Sequence, residues 1–366
     1  MESWAERARF AEQEITRRHL RRWLGIPGTR LGLSSYPPVW SHRVFAEYNY
    51  WWQAHLMDCL IDAQLRDPTK ARLRNIELLP RTVRIRNWLR WINRYNDDIA
   101  WLALAMERAE RHFGSRFGAG PRVIERRLYG LWRVDGAGGG IPWRRGDKFR
   151  NVPANGTMAI LMARLGHVRR AREACEWMDA RMLDPRTFLI LEGIRPGELI
   201  TDVYTYNQGL VLGAELELAR RGGDRARIHR LTKAVADHLL VDGAIVGRAG
   251  GDGGLFSGIL SRYLTLVALE LPGDEPADRA TRALARRLVL DSAAAAWANR
   301  AEGAGGTFFG DDWVRPALVP PNTSSLGRPK VAGLPSSAVP SRDFTVQLSG
   351  WMLLEGAAAL ERGGPY

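Results

Sequence analysis

The sequence predicts an all-α fold in which the helices pair into six helical hairpins. Apolar residues recur at helical spacing along most of the chain, and no segment alternates apolar and polar residues between turn signals. In chain order, we predict twelve helices, at about 2–23, 43–66, 69–92, 97–113, 121–133, 153–165, 167–183, 205–221, 225–240, 257–271, 275–300 and 344–362.

The stretch from Val44 to Leu60 shows the helical pattern most clearly. Its apolar face is formed by residues 44, 48, 51, 52, 55, 56, 59 and 60, which repeat at the i, i+3, i+4 and i+7 spacing of one helix face. His55 lies on this face, and we expect it to be a core histidine rather than a ligand.

The predicted helices are of two kinds. Those at 97–113 and 205–221 have apolar or small residues on most faces, whereas those at 69–92 and 275–300 carry stripes of arginine and glutamate. A helix that is apolar all round is buried, and an amphipathic helix lies outside. The two kinds alternate, which predicts an inner ring of helices surrounded by an outer ring, in one domain that spans residues 1–366.

Two segments stand apart from the regular pairs. Residues 1–42 hold the first helix and a lead-in to the second, and residues 301–343 are rich in Pro, Ser and Gly. The second of these is predicted to be a long irregular segment, which is either mobile or a lid.

The formal net charge of +13 is carried almost wholly by arginine, since only four lysines occur among the 366 residues. The basic residues are spread along the chain, and neither a basic tail nor a ribonucleoprotein signature is present. This distribution indicates that the positive charge belongs to solvated helix faces and not to a nucleic-acid site. A third interpretation of the charge is that the substrate is anionic and linked to a glycolipid.

The remaining composition excludes several classes of protein. Cys59 and Cys175 lie in apolar helical patterns, so we expect buried free thiols. The seven histidines show no metal-ligand spacing, and we expect neither a metal nor a cofactor. No stretch has the length of a membrane span or the apolar core of a signal peptide. We therefore expect a monomer in the cytoplasm, or outside it if a leader precedes this chain.

Two adjacent carboxylates, Asp97 and Asp98, lie where a loop turns into an apolar helix. Cleavage of a glycosidic bond needs two carboxyl groups close together, one charged and one protonated. An isolated Asp-Asp pair is more often a helix cap or a solvated surface feature. Its neighbourhood must therefore decide between the two interpretations.

Four segments combine small or polar residues with aromatic rings at a helix start: Arg94–Asp98, Gly138–Trp143, Asn151–Gly156 and Tyr204–Gly209. Amides, hydroxyls and ring faces are the groups that bind sugars, although each segment alone is typical of a helix cap. Together with an acidic pair they predict a sugar site. The expected sugar-binding residues are Tyr95, Asn96, Trp143, Asn155, Tyr204, Tyr206, Asn207 and Gln208, with Asp202 and Asp252 as further carboxylates.

These motifs give the chain a resemblance to a known family. The stretches that carry it are Tyr48–His55, Asn96–Ala105, Gly138–Trp143, Arg150–Gly156, Tyr204–Gly209 and Phe256–Leu264. In their order and content they resemble glycoside hydrolase family 76, the endo-α-1,6-mannanases of the (α/α)6-barrel class. The chain departs from the family at Leu102, where a second tryptophan is frequent, and little aligns beyond residue 300.

The resemblance implies an (α/α)6 barrel that hydrolyses α-1,6-linked mannan with retention of configuration. Asp97 matches the nucleophile of the family and Asp98 its general acid/base. Two charges ~5.5 Å apart repel by roughly 3 kcal/mol at an effective dielectric of ~20, so one aspartate is expected to stay protonated. Both can face a substrate only if Asp97 lies at the helix cap. Two alternatives remain: another α-linked glycan as substrate, or a non-catalytic glycan-binding protein on this fold.

Overall fold

The computed structural model describes residues 2–247, 250–303, 305–320, 339–364 and 366. Within these residues, apolar helices line the centre and amphipathic helices surround them, as the sequence predicts. The helices are α1 (Trp4–His19), α2 (Trp40–Arg43), α3 (Tyr50–Arg66), α4 (Lys70–Arg86), α5 (Asn96–Phe113), α6 (Gly120–Leu131), α7 (Val152–Arg164), α8 (Val168–Met182), α9 (Thr205–Ala219), α10 (Ala226–His238), α11 (Phe256–Glu270), α12 (Pro276–Ala298) and α13 (Phe344–Arg362).

The inner ring consists of α3, α5, α7, α9, α11 and α13, each of which packs against the next, and α13 closes the ring on α3. Five inner helices pair with the helix that follows them in the chain. The sixth pair differs, because α13 packs against α1 from the other end of the sequence. The backbone N–H of Trp4 donates to the Glu361 carboxylate over 3.0 Å, which joins the two ends. This architecture is the (α/α)6 barrel.

Burial follows the two kinds of helix. Every residue of α9 is buried, whereas α4 exposes the outward side chains of its arginine stripe. His55 lies in the core with its ring 4.5 Å from that of Trp101, and burial holds the pKa of His55 well below its ordinary value. Cys59 and Cys175 are buried and free. Among the described residues, no helix combines the length and the apolar character that a membrane span requires.

Short strands, which the sequence does not predict, tie the loops together. At two or three residues each, they are too short to show a period-two pattern. They form antiparallel pairs between β1 (Leu20–Arg21) and β2 (Leu31–Gly32), β3 (Arg150–Asn151) and β4 (Gly193–Arg195), β4 and β5 (Glu198–Ile200), β6 (Leu240–Val241) and β7 (Ala244–Ile245), and β8 (Ala301–Gly303) and β9 (Gly306–Phe308).

The pair formed by β3 and β4 requires a glycine. Asn151 is opposite Gly193 in the register. A Cβ atom on Gly193 would lie 2.6 Å from the carbonyl oxygen of Arg150 and 2.8 Å from the Cα of Asn151. Only a residue without a side chain allows the two strands to approach this closely.

Several helix boundaries differ from the predicted ones. The helix predicted at 43–66 begins at Tyr50, because Phe45 has a φ of 54° and ends the short α2 segment before it. The helix predicted at 69–92 ends at Arg86, because Trp88 and Leu89 have φ values of 55° and 59°. Hydrophobic spacing continues across these backbone reversals and therefore hides them.

The segment predicted to be irregular at 301–343 begins with a hairpin formed by β8 and β9. Residues 304 and 321–338 of that segment lie outside the described residues, so its interpretation as mobile or as a lid remains a prediction.

Because each hairpin reverses the chain, successive inner helices run in the same direction. Their N-termini, and the loops that precede them, meet at one end of the barrel, which we call the rim.

The close packing of α9 on α11 gives a test of the fold. A Cβ atom on Gly213 would overlap the ring of Tyr263, so Gly213→Ala should lower the free energy of unfolding by about 1–3 kcal/mol. Gly130 is the matched control, since it lies exposed on α6 with nothing near its Cβ position. Gly130→Ala should raise stability by about 0.5–1 kcal/mol in the same chemical denaturation experiment. Equal effects at both positions would contradict the packing.

Candidate active site

The paired aspartates lie at the rim, in the first turn of α5. Tyr95 is the extended residue before the helix, so Asp97 lies inside the first turn, and the prediction that it must lie at the cap is wrong. The first-turn position does not keep the two carboxyl groups apart, since the charge on Asp97 raises the pKa of Asp98. Backbone N–H groups in a first turn have no partner within the helix. One of them, that of Asp98, donates to Oδ1 of Asp97 over 3.0 Å. This bond holds the Asp97 carboxyl group beside the helix start.

A neighbouring loop, residues 142–145, clamps the start of α5, and we call it the clamp loop. The backbone N–H of Asn96 donates to the carbonyl of Trp143, and its side-chain amide donates to that of Pro142, both over 2.8 Å. The indole N–H of Trp143 then donates to Oδ2 of Asp97 over 3.0 Å. Asp97 is therefore held by its own helix on one oxygen and by the clamp loop on the other.

Asp98 is held by a residue of the preceding loop. The side-chain amide of Asn93 donates to Oδ2 of Asp98 over 2.6 Å, and its own oxygen accepts the backbone N–H of Tyr95 over 2.8 Å. Asn93 thereby fixes both the loop and the carboxyl group. This role cannot be predicted from the sequence, because a polar residue in a loop is typical of many turns.

Two further carboxyl groups lie near the pair. Asp252 accepts the indole N–H groups of Trp51 and Trp52 over 3.1 and 2.8 Å. Glu192 accepts the side-chain amide of Asn207 over 2.7 Å and that of Asn151 over 3.4 Å. Within the described part of the chain, no ion pair involves Asp252, Glu192 or either member of the pair.

Burial raises the pKa of the paired aspartates, and no ion pair in the described part of the chain opposes it. Burial raises the pKa of Asp97 to about 7. The pKa of Asp98 lies well above its ordinary value, first because of burial and then because of the charge on Asp97. The charge of Asp252 raises the pKa of both aspartates further. Burial is the largest cause for both aspartates, whereas the hydrogen bonds that lower the pKa of Asp97 and the charge that Asp97 exerts on Asp98 distinguish the two.

The same argument applies to the other two carboxyl groups. Burial raises the pKa of Glu192 to about 7, with the charges of Asp97 and Asp202 as smaller causes. Burial also raises the pKa of Asp252, against the two indole hydrogen bonds that lower it. A cluster of carboxyl groups whose charges raise one another's pKa is typical of an active site.

Aromatic rings surround the carboxyl groups. The ring of Tyr95 lies 5.2 Å from that of Trp143, and both are half-buried. On the opposite side, the ring of Tyr206 stacks on Phe256 at 4.0 Å, and Tyr204 lies 6.0 Å from Tyr206. Half-buried rings offer faces on which the C–H face of a sugar can pack.

Three amides that we predicted to bind sugar are used inside the protein. Asn155 exchanges hydrogen bonds with the backbone of Ile141, and Gln208 does the same with Ile190, all over 2.7–3.0 Å. Asn96 binds the clamp loop. Each is almost wholly buried, so its role in this structure is to hold a loop. Their spacing before a helix cannot distinguish the two roles.

The other predicted residues divide in the same way. Asn207 is buried and positions Glu192, whereas Asp202 is exposed on the loop before α9. Sequence reasoning missed Glu192 as well as Asn93, because Glu192 follows an apolar run with no spacing signal. It also missed Tyr48, whose buried hydroxyl has no hydrogen-bond partner in the described part of the chain.

Among the described residues, no group of three or more His, Cys, Asp or Glu could hold a metal ion.

Paired, partly buried carboxyl groups beside aromatic rings at the rim of an (α/α)6 barrel are typical of a glycoside hydrolase. The chain belongs to glycosyl hydrolase family 76, whose family model matches residues 9–327. No curated protein sequence matches it.

Several solved structures are similar to this chain over the whole fold. The GH76A α-1,6-mannanase from Salegentibacter sp. HEL1_6 is 25% identical, with a TM-score of 0.80 over 98% of this chain and 100% of that one. An inactive variant of that mannanase, with two aspartates replaced by alanine, has been solved in complex with α-1,6-mannotetrose, at the same identity, coverage and TM-score. The Lin0763 protein from Listeria innocua is 27% identical, with a TM-score of 0.81 over 100% of this chain and 99% of that one.

The indole hydrogen bond to Asp97 gives a test of the site. A hydrogen bond to a carboxylate stabilises its charged form, so Trp143→Phe should raise the pKa of Asp97 by roughly one to two pH units. Carbon-13 NMR titration of labelled aspartate carboxyl groups measures this directly. Trp52→Phe is the matched control, since it removes an indole bond from Asp252 and should raise the pKa of Asp252 instead. A pKa of Asp97 that is the same in both variants would show that the indole bond does not act on it.

Proposed function

We propose that the protein hydrolyses α-1,6-mannosidic linkages in a mannan-type polysaccharide by a retaining double displacement. The observation that carries this proposal is the pair Asp97 and Asp98 in the first turn of α5, where both carboxyl groups have a raised pKa and the charge on Asp97 acts on Asp98. The likeness to an α-1,6-mannanase over the whole fold supports the choice of substrate. The aromatic rings of Tyr95, Trp143 and Tyr204 would bind sugar faces on either side of the pair.

The roles follow from the ionisation of the pair. Asp98 has the more strongly raised pKa, so it holds a proton at neutral pH and can donate it to the glycosidic oxygen. Asp97 is ionised in a larger fraction of molecules, and its carboxylate attacks the anomeric carbon to form a glycosyl-enzyme ester. After the leaving group departs, Asp98 is charged and removes a proton from the water that hydrolyses the ester. The two inversions at the anomeric carbon give net retention.

Digestion of linear α-1,6-mannan tests the activity. Short oligosaccharides as first products are expected of an endo-hydrolase, and monosaccharide alone would indicate an exo-enzyme. NMR before mutarotation should detect the α-anomer first. Asp97→Asn is the control, because loss of a covalent nucleophile should cost on the order of 5 kcal/mol in the activation barrier. A β-anomer, or more than a tenth of the activity in the variant, would contradict the mechanism.

The same experiment separates the alternatives. Binding of mannan without any product would favour a non-catalytic glycan-binding protein. Turnover of a different α-linked glycan, with mannan left intact, would leave the roles of Asp97 and Asp98 in place and change the substrate.

The acid/base role of Asp98 has its own test. Asp98→Ala should slow natural mannan far more than a mannoside with an activated aryl leaving group, since a good leaving group departs without a proton. Added azide should then accelerate turnover of the aryl mannoside and give an α-mannosyl azide, because azide attacks the ester without base assistance. Equal slowing of both substrates, with no effect of azide, would assign Asp98 a structural role.

A further inference from the structure

A second cavity lies at the rim, on the far side of the clamp loop from the catalytic pair. It has a volume of about 970 Å³ and is bounded by the loop before α7, the end of α8 and the turn between β4 and β5. Its apolar lining includes Leu131, Pro142 and Ile194, and exposed polar side chains form its mouth. We call it the basic cavity because of the charges described next.

Cations dominate the mouth of the basic cavity. Lys148, Arg181 and Arg195 are exposed there, and within the described residues none of them forms an ion pair. The acidic lining residues Asp135 and Asp147 are already neutralised, Asp135 by Arg150 and Asp147 by Arg144. Glu198 is the remaining acidic residue of the lining. The cavity therefore carries an uncompensated positive charge.

One of these cations is held in place. The guanidinium group of Arg195 lies over the ring of Phe149, 5.0 Å from its centre. A cation on an aromatic face loses less freedom when it binds an anion than a free surface side chain does. Arg195 also ends strand β4, whose backbone pairs with β5 through Glu198. The position of the guanidinium group is thus set before any ligand arrives.

The basic cavity adjoins the catalytic centre through two short connections. Pro142 lines the cavity, and the next residue, Trp143, donates to Asp97. Likewise, Glu192 lies beside the pair and is two residues from Ile194, which lines the cavity. The cavity and the acid pair therefore share the clamp loop and the segment that leads into β4.

We propose that the basic cavity binds a phosphate group carried by the glycan substrate. That the ligand belongs to a glycan rests on the proposed function. That the ligand is an anion rests on the charges of the cavity alone. Guanidinium groups bind phosphate through paired hydrogen bonds, and an ammonium group beside them adds a point charge. The chain would then favour α-mannans with phosphate substituents over neutral ones, which gives part of its strong positive charge a specific use.

Calorimetric titration with mannose 6-phosphate, mannose and inorganic phosphate tests binding. Mannose 6-phosphate should bind at least tenfold more tightly than either of the other two, and high salt should weaken its binding. Arg195→Glu and Arg181→Ala should each weaken it at least tenfold. The control is Arg169→Ala, which removes an exposed charge about 18 Å back along α8 from Arg181 and should change nothing.

The outcomes are distinct. Equal binding of mannose 6-phosphate by the Arg195 and Arg169 variants would overturn the site. If inorganic phosphate binds as tightly as the sugar phosphate, the cavity is a site for free anions, and the claim that it recognises a substituent of the glycan is wrong. Glucuronate that binds as tightly would overturn the choice of phosphate.

Hydrolysis separates this inference from the proposed function. With phosphate-bearing and unsubstituted α-1,6-mannan, the ratio of the two kcat/KM values should fall at least tenfold in Arg195→Glu and stay constant in Arg169→Ala. If no mannan is hydrolysed while binding of the sugar phosphate depends on Arg195, the function fails and the cavity assignment stands. If unsubstituted mannan is hydrolysed and phosphate gives no advantage in either assay, the cavity assignment fails alone.

Discussion

The site depends on one electrostatic constraint: partly buried carboxyl groups lie at the rim, and no described residue forms an ion pair with them. A buried charge without a partner is costly, and such groups respond by taking up protons. Hydrogen bonds from Trp143, Asn93 and the indoles of α3 orient the carboxyl groups but do not neutralise them. The raised pKa values of Asp97 and Asp98 follow directly. In the proposed mechanism, proton donation at neutral pH follows from these raised pKa values.

Elsewhere in the barrel, buried carboxylates form ion pairs with arginine side chains. Toward the C-terminal ends of the inner helices, Asp62 accepts hydrogen bonds from Arg108 of α5 and Arg262 of α11 over 2.5 and 2.6 Å. Arg164 at the end of α7 pairs with Glu107 and Glu217 in the same manner. Cations near helix C-termini also interact favourably with the helix dipole. The pairs of Arg108 and Arg164 join neighbouring inner helices, and that of Arg262 joins α11 to α3 across α13, so the ring is tied together below the uncompensated carboxyl groups of the rim.

The sequence predicts much of the ring and less of the rim, for physical reasons. Hydrophobic spacing reports burial, so it locates the helices and distinguishes inner from outer ones. It cannot report the backbone reversals at Phe45 and Trp88, or the pairing of α1 with α13, which joins the two ends of the chain. The aspartate pair is recognisable because its members are adjacent. Glu192 and Asn93 reach the site only through folding, and an amide such as Asn155 looks the same whether it binds a loop or a sugar.

A protonated acid requires that no cation lies close to it, whereas a phosphate group requires cations. The clamp loop lies between the acid pair and the basic cavity. A cation about 4 Å from Asp98 would stabilise its charged form by roughly 4 kcal/mol at an effective dielectric of ~20, which corresponds to about three pH units and would remove the proton that the acid must donate. A phosphate substituent, in contrast, needs direct contact with cations. Trp143 donates to Asp97 while Pro142 lines the basic cavity, so the clamp loop contacts both the acid pair and the cavity. In our proposal, one strongly basic chain binds an anionic glycan and still holds Asp98 protonated.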